Sequence, residues 1–170
     1  MGKIIDISLS DENRSILKVV PERWGRMDPL SQAALLQVGR LLGQCDLLDK
    51  DNRVPAEKHI GLIVGTQHGC LSTDLAYSET LALGQQFASP ALFGYTLPNI
   101  PLAETAVHYK LTGPVFSIFA DNPMQKAQTT AQEWLADSSS PCSTIIAGEL
   151  DLNPSTEPST IIAQFTICHA

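Results

Sequence analysis

Apolar residues recur along this 170-residue chain in two rhythms, short uninterrupted runs and longer stretches with a helical repeat. Their alternation is the outline of an α/β fold. Leu30, Ala33, Ala34, Val38, Leu41, Leu42 and Cys45 repeat at helical spacing behind Asp28-Pro29, an N-cap followed by a first-turn proline, and predict a helix over 29–47. Residues 59–66 are nearly continuous in apolar side chains, the pattern of a strand buried on both faces of a sheet. Gly65, Gly69 and the start signal Ser72-Thr73-Asp74 lead into a helix that runs to about Gly84. Residues 85–98, with Ser89-Pro90 and Leu97-Pro98, read as a long loop, which in a compact domain serves function or an interface.

A helix over 100–111 stops before Gly113, the strand 114–120 follows, and a helix over 122–136 ends at Asp137-Ser138-Ser139-Ser140-Pro141. Strands over 143–149 and 159–168 close the chain, joined by a segment with Pro154 and Pro158 and no helix, so they pair antiparallel. At the N-terminus, the β-branched runs 3–9 and 15–20 are separated by Ser10-Asp11-Glu12-Asn13 and predict a hairpin or a strand with an early irregularity.

Composition narrows the class. With 44% hydrophobic and 17% charged residues and no biased tract, the chain reads as one ordinary globular domain over 1–170. No apolar run approaches the roughly 20 residues of a membrane span, and no charged-then-apolar leader is visible, so the cytoplasm is the expected compartment. The net charge of −7 is unevenly placed: residues 1–58 hold nine basic and nine acidic side chains, residues 59–170 two basic and nine acidic. That distribution argues against nucleic acid as a partner, since phosphate binding needs clustered Lys and Arg.

Candidate chemistry centres on Gly113 to Pro123, where an apolar strand runs directly into a helix start. Such a junction aims backbone N–H groups and the positive end of a helix dipole at one spot, a setting for a thiolate or an oxyanion. Asn122 stands there instead, a favoured N-cap before Pro123, and a carboxamide without a base or nucleophile binds rather than turns over. Cys45, Cys70, Cys142 and Cys168 lack any CxxC spacing and read as free thiols in or beside apolar elements. His59, His68, His108 and His169 are too dispersed for a zinc pattern, so neither a metal nor another cofactor is expected. Gly65-Thr66-Gln67-His68-Gly69 matches neither phosphate-binding fingerprint and reads as a tight turn. Asp121 beside Asn122 is what a helix dipole favours at its start, without a second carboxylate to work with it.

Five segments carry a family resemblance in order and spacing: Arg26-Met27-Asp28-Pro29-Leu30-Ser31; Ile60-Gly61-Leu62-Ile63-Val64-Gly65-Thr66 with Gly69; Phe93-Gly94-Tyr95-Thr96-Leu97-Pro98-Asn99; Leu111-Thr112-Gly113-Pro114; and Ile145-Ile146-Ala147-Gly148-Glu149-Leu150. Over nearly its whole length the chain resembles the N-terminal half of β-ketoacyl synthases of the thiolase-like superfamily. The resemblance implies a single thiolase-like half with a five-stranded mixed sheet, order 3-2-1-4-5 with the last strand antiparallel, and helices on both faces. It places the family's catalytic cysteine at Asn122, and it leaves out the C-terminal half that supplies the two further active-site residues.

The chain therefore resembles the chain-length-factor group, non-catalytic subunits that dimerise with an active ketosynthase in fatty acid or polyketide biosynthesis. By the same resemblance, Pro114, Val115, Phe116, Ser117, Ile118, Phe119 and Ala120 form the dimer-interface strand, and Phe93, Gly94, Tyr95, Thr96 and Leu97 lie beside it at the acyl pocket. An exposed apolar edge strand is itself a liability unless paired, which agrees. The partner is a ketosynthase-like subunit or a second copy, with an acyl chain or an acyl carrier protein as further partners. The carrier protein is acidic in this family, so its docking would fall to Arg14, Lys18, Arg23, Arg26, Arg40, Arg53 or Lys58. A self-associating acyl-binding or scaffold homodimer is the alternative, and a thioester hydrolase or decarboxylase built from Asn122, His68 and Asp121 is a third reading.

Overall fold

A computed structural model describes residues 5–153 and 160–170. Four strands form one sheet: β1 (Ile60–Thr66), β2 (Val115–Phe119), β3 (Thr144–Leu152) and β4 (Ile161–His169). Their spatial order is β2-β1-β3-β4, with β1 parallel to both β2 and β3 and β4 antiparallel to β3. The segment joining β3 to β4, with Pro154 and Pro158, lies outside the described residues.

The expected five-stranded sheet is corrected to four strands. β1 and β3 pair directly, from Ile60 opposite Thr144 to Gly65 opposite Glu149, and leave no slot for a strand between them. Residues 3 and 4 lie outside the described residues, 5–9 form no strand, and the second run is helical. Ser10, taken as turn material, is an N-cap: its side chain accepts from the Asn13 amide, and Asp11 and Glu12 occupy the first turn of α1 (Asp11–Leu17). Asn13 is buried, and its carboxamide donates to the carbonyls of Asp6 (2.9 Å) and Ser8 (2.8 Å), which pins the preceding segment as a loop over the helix.

The other helices are α2 (Pro29–Gln44), α3 (Leu71–Ala82), α4 (Pro90–Phe93), α5 (Ile100–Tyr109) and α6 (Pro123–Ala136). The stretch 85–98 is thus not a plain loop. It holds a 3-10 turn at Gln85–Phe87 and then α4, whose N-cap Ser89 accepts from Leu92 with Pro90 in the first turn.

The two faces of the sheet are unequal. On one, α2 and α5 cover Leu62, Val64, Ile146 and Leu150 with fully buried Leu35, Leu36, Val38, Leu42, Leu102 and Tyr109, whose hydroxyl donates to the Leu35 carbonyl at 3.0 Å. On the other, α6 alone covers a small cluster of Ile63, Ala127, Ala131, Cys142, Ile145 and Ala147. The outer side of α6 is polar, with Gln125, Lys126, Thr129 and Glu133 exposed, as befits a helix meeting water.

Candidate functional site

The carboxyl ends of parallel strands are where ligands meet open α/β sheets, and here β1, β2 and β3 end together beside the start of α6. β1 runs so close to α6 that a Cβ at Gly65 would collide with the Pro123 backbone, which requires glycine at that position. Gly69 has φ +59°, and a Cβ there would come within 2.7 Å of the Phe119 ring and 3.2 Å of Pro98. The turn after β1 is therefore wedged between the end of β2 and the segment leading into α5.

Asp151 on β3 holds that turn in place. Its carboxylate is buried and accepts from the Thr66 hydroxyl (3.1 Å), the backbone amides of Gln67 (3.0 Å) and His68 (3.1 Å), and its own neighbour Leu152 (3.1 Å). His68 Nδ1 lies 3.1 Å from the same carboxylate, and the Gly69 amide donates to Thr66 Oγ1 at 2.8 Å. Buried carboxylates need this degree of satisfaction. Gln67 Nε2 donates to the Asp121 carbonyl at 2.8 Å and ties the turn to the elbow. On the same strand, burial and the Asp151 charge push the Glu149 carboxyl above the ordinary carboxylate value. The role of Asp151 was missed from sequence, where the strand was ended at residue 149. The available signal was a lone acid between Leu150 and Leu152, an element that must be paired if buried.

Asn122 occupies the N-cap position of α6 as expected, but its side chain makes no capping bond and is exposed. Pro123 fills the first turn. The nearest sulfur chemistry is inert. Cys70 is buried at the start of α3, donates to the Thr96 carbonyl at 2.7 Å, and has its thiol pushed up to about 11 by burial and then by Asp74. Burial likewise raises Cys142 and Cys168. Thiols held protonated in this way are poor nucleophiles. Among the described residues no group of three His, Cys, Asp or Glu side chains is gathered closely enough to hold a metal ion.

The expected interface strand lies at a sheet edge, since β2 pairs on one side only. Val115, Phe116, Ser117, Ile118, Pro114 and Ala120 are half-buried and Phe119 is 60% exposed. The Pro114 carbonyl and the Ala120 amide both bond to β1, so Val115, Ser117 and Phe119 direct their backbone groups outward. The central outward amide is already occupied. Asn99 Oδ1 accepts from the Ser117 N–H at 2.8 Å and from its hydroxyl at 2.7 Å.

Between the turn after β1 and Asn99 runs an excursion over 71–98 that buries little: Leu75, Leu83, Phe87, Phe93 and Leu97 are each between 49% and 72% exposed, and only Thr73 and Tyr95 are buried. Phe93 packs on Tyr77 with ring centroids 5.6 Å apart, Gly94 ends α4, and Thr96 donates its hydroxyl to the Phe93 carbonyl at 2.9 Å. Tyr95 is drawn inward, its hydroxyl 3.5 Å from Glu104, which forms a two-pronged pair with Arg23 at 2.8 and 3.0 Å. Of the five residues placed beside the interface from sequence, Phe93 and Leu97 present large apolar surface and Tyr95 does not.

No protein-family model and no curated protein matches the sequence. Solved structures share its fold. The ishigamide ketosynthase/chain length factor aligns with a TM-score of 0.61 at 18% identity, covering 81% of this chain and 37% of that one. Ketosynthase twelve of the bacillaene polyketide synthase from Bacillus amyloliquefaciens aligns at 0.57 and 11%, covering 89% and 25%. A β-ketoacyl synthase from Burkholderia phymatum STM815 aligns at 0.54 and 12%, covering 79% and 33%. The chain spans between a quarter and just over a third of each of these proteins, and its α/β architecture is that of a ketosynthase portion.

Proposed function

We propose that this chain is a non-catalytic ketosynthase-like subunit that docks on an active ketosynthase and helps bound the acyl or polyketide chain held there. The observation that carries this reading is the exposure of Leu75, Leu83, Phe87, Phe93 and Leu97 in the 71–98 excursion together with the sheet-edge position of β2, in a chain whose elbow bears a carboxamide. Large apolar side chains left exposed together in one segment are the mark of an interaction site. The named neighbour that is a ketosynthase/chain length factor supports the same direction. With the buried thiols held protonated and a carboxamide in place of a nucleophile at Asn122, the elbow offers hydrogen bonding to a carbonyl and no covalent step.

In this mechanism the partner's strand adds to β2, and to do so it displaces the Asn99 carboxamide from Ser117. Asn99 follows Leu97-Pro98, so pairing at β2 also shifts the loop that would line the acyl chain. The polar outer face of α6 disfavours the alternative in which two copies stack face to face as a complete two-half unit. Co-expression with a ketosynthase followed by size-exclusion chromatography tests the reading: a stable complex with partner-dependent product length is expected, and Leu75→Asp or Phe93→Asp should release it. A chain that never co-elutes and leaves product length unchanged would sink the idea.

A further inference from the structure

The opposite edge of the sheet carries a second, separate contact. We propose that β4 pairs antiparallel with β4 of a second copy of this chain about a twofold axis at Phe165, an association that does not depend on the β2 reading. β4 is nine residues long, in continuous register with β3, and carries no Lys, Arg, Asp, Glu or Pro along Ile161–His169. It therefore lacks the charged and proline residues that commonly keep an edge strand from pairing.

The hydrogen-bond phase fixes which groups are free. Ala170 donates to the Ser143 carbonyl, so residues 162, 164, 166 and 168 turn their backbone groups to β3 and Ala163, Phe165 and Ile167 turn theirs outward. Among the described residues none of these three outward amides finds an acceptor. At β2 the corresponding central amide is closed off by Asn99; at β4 nothing described plays that part.

The strand is also its own complement. Antiparallel pairing about Phe165 sets Ala163 opposite Ile167 of the copy and Phe165 opposite Phe165, apolar with apolar on the α2 face. On the other face it sets Gln164 opposite Thr166, amide with hydroxyl, and Ile162 opposite Cys168. A cleft of about 630 Å3 runs along this edge on the α2 side, between Ile5, Asn13, Arg40 and Leu41 and the strand residues Ala163 and Phe165. It has room for the copy's Phe165 and Ile167. Of its charges Arg40 is paired with Glu12 at 2.9 Å, and Asp6, held by the Ser8 amide at 2.8 Å, is an exposed carboxylate with no ion pair among the described residues. An uncharged strand beside walls that carry one ion pair and one exposed carboxylate fits another uncharged strand rather than an acidic segment. If β2 takes a ketosynthase as well, two copies of this chain form the centre of a four-chain array.

A charge swap at the directly opposed positions provides the test, read by sedimentation velocity across a range of concentrations. The unaltered chain is expected to dimerise. The double variants Gln164→Lys/Thr166→Lys and Gln164→Glu/Thr166→Glu, which leave the core untouched, should each weaken the dimer by on the order of tenfold or more, because both twofold-related pairs become like-charged. Mixing the two variants should restore association. A chain that stays monomeric at hundreds of micromolar overturns the proposal. So does a dimer that survives in each double variant alone, or one that is lost only on Ser117→Pro, which would place the contact at β2.

Discussion

The same residue types do opposite work on two sides of this molecule. On the α2 and α5 side, leucines such as Leu35, Leu36 and Leu42 are fully buried against the sheet, whereas along 71–98 Leu75, Leu83 and Leu97 are half to nearly three-quarters exposed. The difference is not in composition but in what each helix lies upon. α2 packs on β3, β4 and α5, while α3 touches little beyond the 3-10 turn and α4. One region makes the stability of the domain. The other leaves its apolar side chains facing solvent.

The sharpest way to break that contrast is a matched pair of truncations. Leu36→Ala should cost about 2–5 kcal/mol in urea unfolding, the range for a leucine lost from a packed core. Leu75→Ala should stay within about 0.5 kcal/mol. Equal losses at both positions would mean that the excursion is part of the core after all.

Next in size is the joint between the two regions. Asp151→Ala leaves the part-buried amides of Gln67 and His68 and the buried Thr66 hydroxyl without their acceptor and is expected to cost about 1–3 kcal/mol, with faster hydrogen exchange confined to residues 66–70. Exchange that rises uniformly over the sheet would instead make Asp151 a general core residue. Asn99→Ala should cost about 1 kcal/mol or less, since the bonds it loses are exposed, and should speed exchange at the Ser117 amide. It also opens the β2 edge, so partner binding should tighten. Unchanged exchange at Ser117 would remove Asn99 as the guard of that edge.

The smallest expected effect is a slope with pH on the stable side. Burial raises the Asp28 carboxyl above its ordinary value of 3.8, outweighing the hydrogen bonds from Ser31, and one of its oxygens has no partner. The folded chain thus holds this proton more tightly than the unfolded chain does. Protonation favours the fold, and as pH rises from 3.8 through the raised folded value this contribution is lost. Asp28→Asn, which keeps an acceptor for the Ser31 amide, should flatten that part of the stability curve. A slope of the opposite sign in the unaltered chain would contradict the assignment.

Two misreadings from sequence share a cause. Ser10-Asp11-Glu12-Asn13 reads as a break between strands because the residues that favour turns are those that cap helices; only the burial of Asn13 and its bonds to Asp6 and Ser8 distinguish the two. Ser89-Pro90 was likewise read as loop although it caps α4. By contrast Asp28-Pro29 was legible at once, because a long run of helical apolar spacing stood behind it.

By itself the sequence determined the alternation of strands and helices, the antiparallel last strand, and a carboxamide rather than a thiol at the elbow, since these follow from periodicity, turn chemistry and residue identity within short windows. Tertiary structure alone decided that, among the described residues, the sheet has four strands, that Asp151 organises the turn after β1 from 85 positions away, counting to Thr66, and that Asn99 guards one edge while no described residue caps the outward amides of the other. Each of these is a contact between distant segments. Whether a polar group finds its partner there depends on how closely the backbones pack, which no local pattern encodes.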